Sequence, residues 1–259
     1  MGTRDKRDTK KVERNYNKWF LNTVKKTIIK YGMIEEGDRV ALGVSGGKDS
    51  SALLYIMSLV QSQAPFPFSL HAVFVDLGWE MDISPLKDYC SNLKIPLHVV
   101  KTRISRIVFD VRQEKNPCSL CAKLRRGSLH KAAKDLGCNR VALGHHLDDT
   151  VETFFLNSIF SGRINTFKPN TYLDRRELYL VRPLICLPQH IISSLASRED
   201  LPIIENPCPV SGETKRHEIG EIVNFIVKRY PSYYQRFITS LEKSGIWTST
   251  PFSLQEEKV

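Results

Sequence analysis

Short apolar runs alternate with longer amphipathic ones along most of the chain. Arg39–Val44, Leu70–Val75, Leu97–Val100 and Val141–Gly144 are apolar runs too short for helices, and they predict strands. Ser51–Gln61, Pro85–Leu93 and Leu120–Leu136 separate them and predict helices. Upstream, Trp19, Phe20, Val24, Thr27 and Ile28 recur at helical spacing between Tyr16 and Tyr31, with Gly32 as the stop. Strands alternating with helices predict an α/β fold, a parallel sheet covered by helices on both faces. In such a sheet the ligand sits beyond the carboxyl ends of the strands, where Gly43–Ser50 and Gly144–Asp149 both fall.

The alternation breaks at 162–183, which reads as a loop or short hairpin leading to Val181-Arg182-Pro183-Leu184. Beyond Pro188, helices are expected near 188–199, 214–229 and 231–244. Residues 1–14 are polar and aperiodic and predict a flexible basic arm; 248–259 predict a disordered tail. The expected organisation is an N-terminal helix over 15–35, a nucleotide-binding core over 36–187, and a helical region over 188–247 that carries Cys208.

Composition and charge narrow the class. A chain of 259 residues with 41% hydrophobic and 25% charged residues suits a soluble protein with a substantial core. It shows neither an apolar stretch of membrane length nor a signal-peptide core, so a cytoplasmic location is expected. The 38 Lys and Arg outnumber 28 Asp and Glu, a net charge of +10 that favours a polyanionic partner. The excess clusters at Lys123, Arg125 and Arg126, at Arg175 and Arg176, and at Lys215 and Arg216.

Gly43-Val44-Ser45-Gly46-Gly47-Lys48-Asp49-Ser50 joins a predicted strand to a predicted helix. Glycines bare the backbone amides and the helix dipole faces the same spot, so this turn is an anion site. Lys48 adds a cation for phosphate. The spacing is not that of a Walker A loop, because Asp49 stands where that loop needs Ser or Thr after the lysine. A carboxylate beside bound phosphate makes sense if it helps to hold Mg2+.

Of the six cysteines, Cys90, Cys138 and Cys186 lie in apolar or helical surroundings and read as core residues. Cys118-Ser119-Leu120-Cys121 follows Pro117 and opens a helix, and Cys208 stands between two prolines. Spacing leaves three readings open: structural zinc completed by a histidine, a redox Cys-x-x-Cys, or a three-cysteine iron–sulfur cluster with one iron open to an outside ligand. Asp148 and Asp149 follow His145 and His146 at another strand-to-helix turn. Adjacent acids there serve either as helix caps or, facing the phosphate loop, as Mg2+ ligands and activators of a substrate group. The two histidines either line the nucleotide pocket or hold the loop.

Ser45–Ser50 resembles the PP-loop of ATP-pyrophosphatases, which cleave ATP between the α and β phosphates and pass AMP to a substrate. With Cys118 to Cys121 continuing as Leu124-Arg125-Arg126-Gly127, then Gly144-His145-His146, Asp148-Asp149, Val181-Arg182-Pro183-Leu184 and a later cysteine, the chain resembles the TtcA family of tRNA 2-thiocytidine synthetases. The resemblance spans roughly residues 30–245. It implies a Rossmann-like adenine nucleotide alpha hydrolase fold, ATP and Mg2+ as ligands, and a [4Fe-4S] cluster on Cys118, Cys121 and Cys208. The function it implies is adenylation of the C2 oxygen of a tRNA base, most simply an anticodon-loop cytidine, and its replacement by sulfur. Gly43 to Ser50, Val75 and Gly144 would then bind ATP; Lys48, Asp49, Arg125 and Asp149 would act in catalysis; Lys123, Arg126, Arg175, Arg176, Lys215 and Arg216 would hold tRNA. A sulfide donor such as a cysteine desulfurase and a homodimer are also expected. Ser211 replaces a second cysteine that TtcA proteins commonly carry after the third ligand, as in the related uridine thiolases, whereas Arg125 replaces the lysine of that uridine branch. The alternatives are therefore a tRNA 2-thiouridine synthetase and a lysidine synthetase-like PP-loop enzyme.

Overall fold

Burial on two sides dictates the composition of the strands. In the computed structural model, which describes residues 15–113, 117–210 and 215–248, β1 (Arg39–Val44) is followed by α2 (Lys48–Ser62), after a first helix α1 (Asn22–Lys30) entered through a π turn at Asn17–Leu21. Then come β2 (Ser69–Asp76), α3 (Ser84–Asn92), β3 (Leu97–Lys101), α4 (Pro117–Asp135), β4 (Arg140–Ala142) and α5 (Leu147–Ser161). A hairpin of β5 (Asn170–Leu173) and β6 (Leu178–Val181) leads to α6 (Gln189–Arg198), α7 (Lys215–Arg229) and α8 (Tyr233–Lys243). The arm expected over 1–14 and the tail from 249 lie outside the described residues.

The six strands run in the order β3-β2-β1-β4-β6-β5, and every neighbouring pair is parallel except β5 with β6. Val40, Leu42, Val44, Leu70, Ala72 and Phe74 face a core shared with Phe20, Val24, Leu53, Ile56 and Ile192. Ala41, Val73, Val75 and Val141 face a second core under Leu129 and Ala133 of α4. Both faces are thus dry, which explains the unbroken apolar runs. The C-terminal helices belong to the first core through Ile219, Val223, Phe237, Leu241 and Trp247. Helix α7 packs against α5 and α8 against α7, so they join the main core instead of standing apart.

Two features differ from expectation. The second arm of the 162–183 hairpin is an interior strand, seated between β4 and β5. Its four residues, with Leu178 and Leu180 on one face and Val181 on the other, are too few to display a period. Because β6 runs parallel to β4, the hairpin tip at Asp174–Arg176 lies where the strands begin, at the end opposite the phosphate loop. Arg175 and Arg176 are exposed there and do not converge on the loop.

Candidate functional site

β1 stops at Val44 and α2 starts at Lys48, three residues earlier than expected, so Ser45-Gly46-Gly47 makes the whole turn. Gly46 has φ of +84°, and a Cβ there would lie 3.0 Å from Cβ of Ile204. A glycine is required on both counts. The loop closes on itself through Ser50 Oγ, which accepts from the Ser45 amide at 3.1 Å and donates to the Gly47 carbonyl at 2.8 Å. The Lys48 and Asp49 amides at the start of α2 have no intrahelical acceptors and are left for an anion, while those of Ser50 and Ser51 donate to the Gly47 carbonyl at 3.1 Å. The 201–204 segment is pinned against this turn. Ile204 donates its amide to Gly46 O at 2.8 Å, and Ser51 Oγ donates to Pro202 O at 2.7 Å. Lys48 Nζ rests on Ser193 Oγ of α6 at 2.9 Å and stands 3.5 Å from the Asp49 carboxylate.

A second turn meets the first. β4 ends at Ala142, and Leu143-Gly144-His145-His146 crosses to α5. A Cβ on Gly144 would sit 2.8 Å from the carbonyl oxygen of Asp49, so the two turns touch backbone to backbone. They follow β1 and β4, the adjacent strands at which chain order reverses, and such a reversal opens a ligand crevice at the carboxyl ends. His146 caps α5: its amide donates to Asp149 Oδ2 at 3.0 Å, and Asp149 donates its amide to His146 Nδ1 at 3.4 Å. Asp149 Oδ2 is 3.4 Å and Asp49 Oδ1 is 3.9 Å from His146 Nε2. The Asp49 oxygen is buried without a hydrogen-bond donor.

The neighbouring acids part ways. Asp148, expected beside Asp149 as a ligand, turns into the protein, where it accepts from the Gln189 amide at 2.7 Å and from the Tyr234 hydroxyl. It caps α6, whose own N-cap is Pro188 with no side-chain hydrogen bond. Asp149 instead faces Arg216, whose Nη1 is 3.3 Å from Asp149 Oδ1 and 2.9 Å from Glu152 Oε2. Arg216 is therefore engaged at the candidate catalytic acid, and Lys215 lies over the Phe160 ring at 4.2 Å. Sequence gave no signal for Ser193, Tyr234 or Phe167. Val75 is buried, with its backbone in register with Val100 in the ladder.

His145 stacks on Phe167 with ring centres 4.4 Å apart. Burial, then the charge of Arg182, holds its pKa down at about 4, so the folded protein keeps it neutral where the unfolded chain binds a proton. Stability from this group is present above the unfolded value near 6.5 and is lost as pH falls toward 4. Between pH 7 and pH 5 the native protein is expected to lose about 2 kcal/mol more than His145→Gln does. Urea unfolding of both proteins at the two pH values checks this; equal losses would refute it.

Cys90 and Cys138 are buried, and Cys186 is partly so. Burial raises the thiols of Cys90 and Cys186 to about 11 and also raises Cys138. Cys118 and Cys121 occupy the first turns of α4, three apart on one side, with Cys118 exposed. Cys208 ends the segment that docks on the phosphate loop, and its amide donates to Asn206 Oδ1 at 3.2 Å. None of the six forms a disulfide. Among the described residues no three His, Cys, Asp or Glu side chains gather around a single metal ion. Thiolates of a four-iron cluster bind different irons, so this geometry does not bear on it, and the soft donor set suits iron–sulfur chemistry. Asp49 and Asp149 are hard oxygen donors, and Mg2+ needs only one or two carboxylates when phosphates complete its shell. Lys123 and Arg126 are exposed on α4, while Arg125 is half-buried with Nε unpaired. No described helix is long and apolar enough to cross a membrane.

Residues 9–224 match the PP-loop domain family ATP_bind_3. The tRNA-cytidine(32) 2-sulfurtransferase of Pelobacter propionicus is 36% identical over 226 residues, covering 85% of this chain and 83% of the relative. That of Polaromonas naphthalenivorans is 36% identical over 242 residues, covering 90% and 76%. Among solved structures, the U34-tRNA thiolase NcsA of Methanococcus maripaludis, with its [4Fe-4S] cluster, superposes with a TM-score of 0.73 at 25% identity, covering 89% of this chain and 79% of that one. With the phosphate turn, the Asp149 turn and three cysteines on these elements, the chain belongs to the tRNA-cytidine(32) 2-sulfurtransferase family of PP-loop proteins.

Proposed function

We propose that this protein activates a tRNA cytidine with ATP and replaces its C2 oxygen by sulfur. The observation that carries the reading is the backbone contact of Gly144 with Asp49, which sets the phosphate turn and the Asp149 turn around one crevice. Amides of Gly46 to Asp49 receive the phosphates, and Lys48 leaves Ser193 to follow them. Asp49 would help to hold Mg2+ against the phosphates, with its Oδ1 free of any hydrogen-bond donor. The base C2 oxygen attacks the α-phosphate and pyrophosphate leaves, with Lys48 and Arg125 offsetting charge on the phosphates. A sulfide nucleophile then adds at C2 and AMP departs with the former base oxygen, while Asp149 manages the proton. A [4Fe-4S] cluster on Cys118, Cys121 and Cys208 would keep one iron without a protein thiolate and so supply a docking point for that sulfur. A nucleotide in a loop can be unstacked to reach the crevice.

The test is mass spectrometry of nucleosides from tRNA incubated with anaerobically reconstituted protein, ATP and sulfide. The expected product is 2-thiocytidine, lost in Cys121→Ala together with the iron. Thiouridine in its place would move the chain to the uridine branch, and iron-free protein that still thiolates would refute the cluster assignment.

A further inference from the structure

Arg182 is a buried cation that no acid answers among the described residues. It follows β6 at the carboxyl rim and is 7% exposed. Its Nη1 donates to Lys168 O at 2.7 Å, its guanidinium lies 4.8 Å from the Phe167 ring centre, and its Nε is buried without an acceptor. Arg140 of the same sheet shows what the fold does with a structural cation: equally buried, it is paired with Asp38 and with Glu35. Among the described residues no carboxylate pairs with Arg182, and Arg126 adds to the positive charge that it feels. Burial, then the charge of Arg126, draws its pKa down to about 10, and Arg126 is exposed on α4. His145, stacked on the same Phe167, has a buried Nδ1 with no partner. One turn along α4 from Arg126, His130 also has an unpartnered Nε2.

A buried cation lacking its counter-ion is costly, and an anion from outside relieves the cost. Guanidinium donors match phosphate oxygens two at a time. β6 lies two strands from β1, or about 10 Å, so this position is distinct from the turn that takes the pyrophosphate half of ATP. We propose that Arg182, Arg126 and His145 form a second phosphate-oxyanion subsite, and that it takes an RNA backbone phosphate beside the base being modified. The proposal rests on the tRNA reading above. The α-phosphate of the nucleotide offers the same chemistry and is the other source.

Binding of a tRNA transcript carrying cytidine 32, by fluorescence anisotropy across a salt series, is compared with AMP binding by calorimetry for the wild type, Arg182→Gln and Arg126→Gln. Arg182→Gln is expected to weaken tRNA about tenfold and to lower the salt slope by about one, with AMP unchanged. Arg126→Gln, on an exposed face, gives the same direction with a smaller factor and guards against a misfolded Arg182 variant. Weakened AMP with unchanged tRNA would assign the subsite to the nucleotide phosphate. Unchanged affinity for both ligands in both variants, with thermal transitions retained, would overturn the subsite. Wild-type protein that binds no tRNA would instead overturn the functional reading on which it rests.

Discussion

Asp149→Asn is expected to lower the single-turnover rate of tRNA thiolation about a thousandfold, the scale of losing a positioned proton-transfer group. Iron content and AMP affinity should stay within about twofold of the wild type. The substitution keeps the side-chain shape and an oxygen able to accept from the His146 amide, so the cap of α5 survives. It removes the charge that faces Arg216 and stands near His146. The Arg216 pair is partly exposed, and losing it costs about 1 kcal/mol at most. A rate within about tenfold of the wild type would sink the role given to Asp149. Asp148→Asn provides the contrast: it loosens the anchor of α6 and α8 and should lower the thermal transition more than Asp149→Asn does.

Gly144→Ala is expected to weaken AMP and ATP binding by about tenfold to a hundredfold, the equivalent of the overpacking cost that a shifted phosphate turn must meet. The added methyl meets Asp49 O at 2.8 Å and Asp49 C at 3.1 Å, and these are backbone atoms that no rotamer change can move aside. The phosphate turn must shift, at a stability cost of about 1–3 kcal/mol. Calorimetric titration with AMP and a thermal melt read both effects. Gly127→Ala in α4, where nothing lies within 4 Å of the new methyl, should leave AMP affinity unchanged. Wild-type affinity in Gly144→Ala would refute the coupling of the two turns.

The phosphate turn was legible because its chemistry is local: glycines, Lys48 and Asp49 follow one another between two periodic elements. The strands were legible because a parallel sheet buried on both faces leaves unbroken apolar runs. β6 was not, since its four residues owe their place to neighbours on both sides. The differing fates of Asp148 and Asp149 were also hidden, because adjacent residues at a helix start point in different directions and only the positions of Gln189, Tyr234 and Arg216 decide which faces the crevice. Arg182 was visible in a motif, but its lack of an acidic partner is a property of the folded interior alone. The same holds for Lys48, whose resting partner Ser193 is 145 positions away.

The pinning of Ile204 and Pro202 against the phosphate turn has a mechanical consequence. Cys208 lies four residues beyond Ile204, so its Cα can never stray more than about 14 Å from that anchor. In the proposed reading the third cysteine of the cluster therefore stays within a short reach of the loop that would take ATP. Whatever else moves in the protein, the phosphate turn and Cys208 stay joined through one short stretch of backbone.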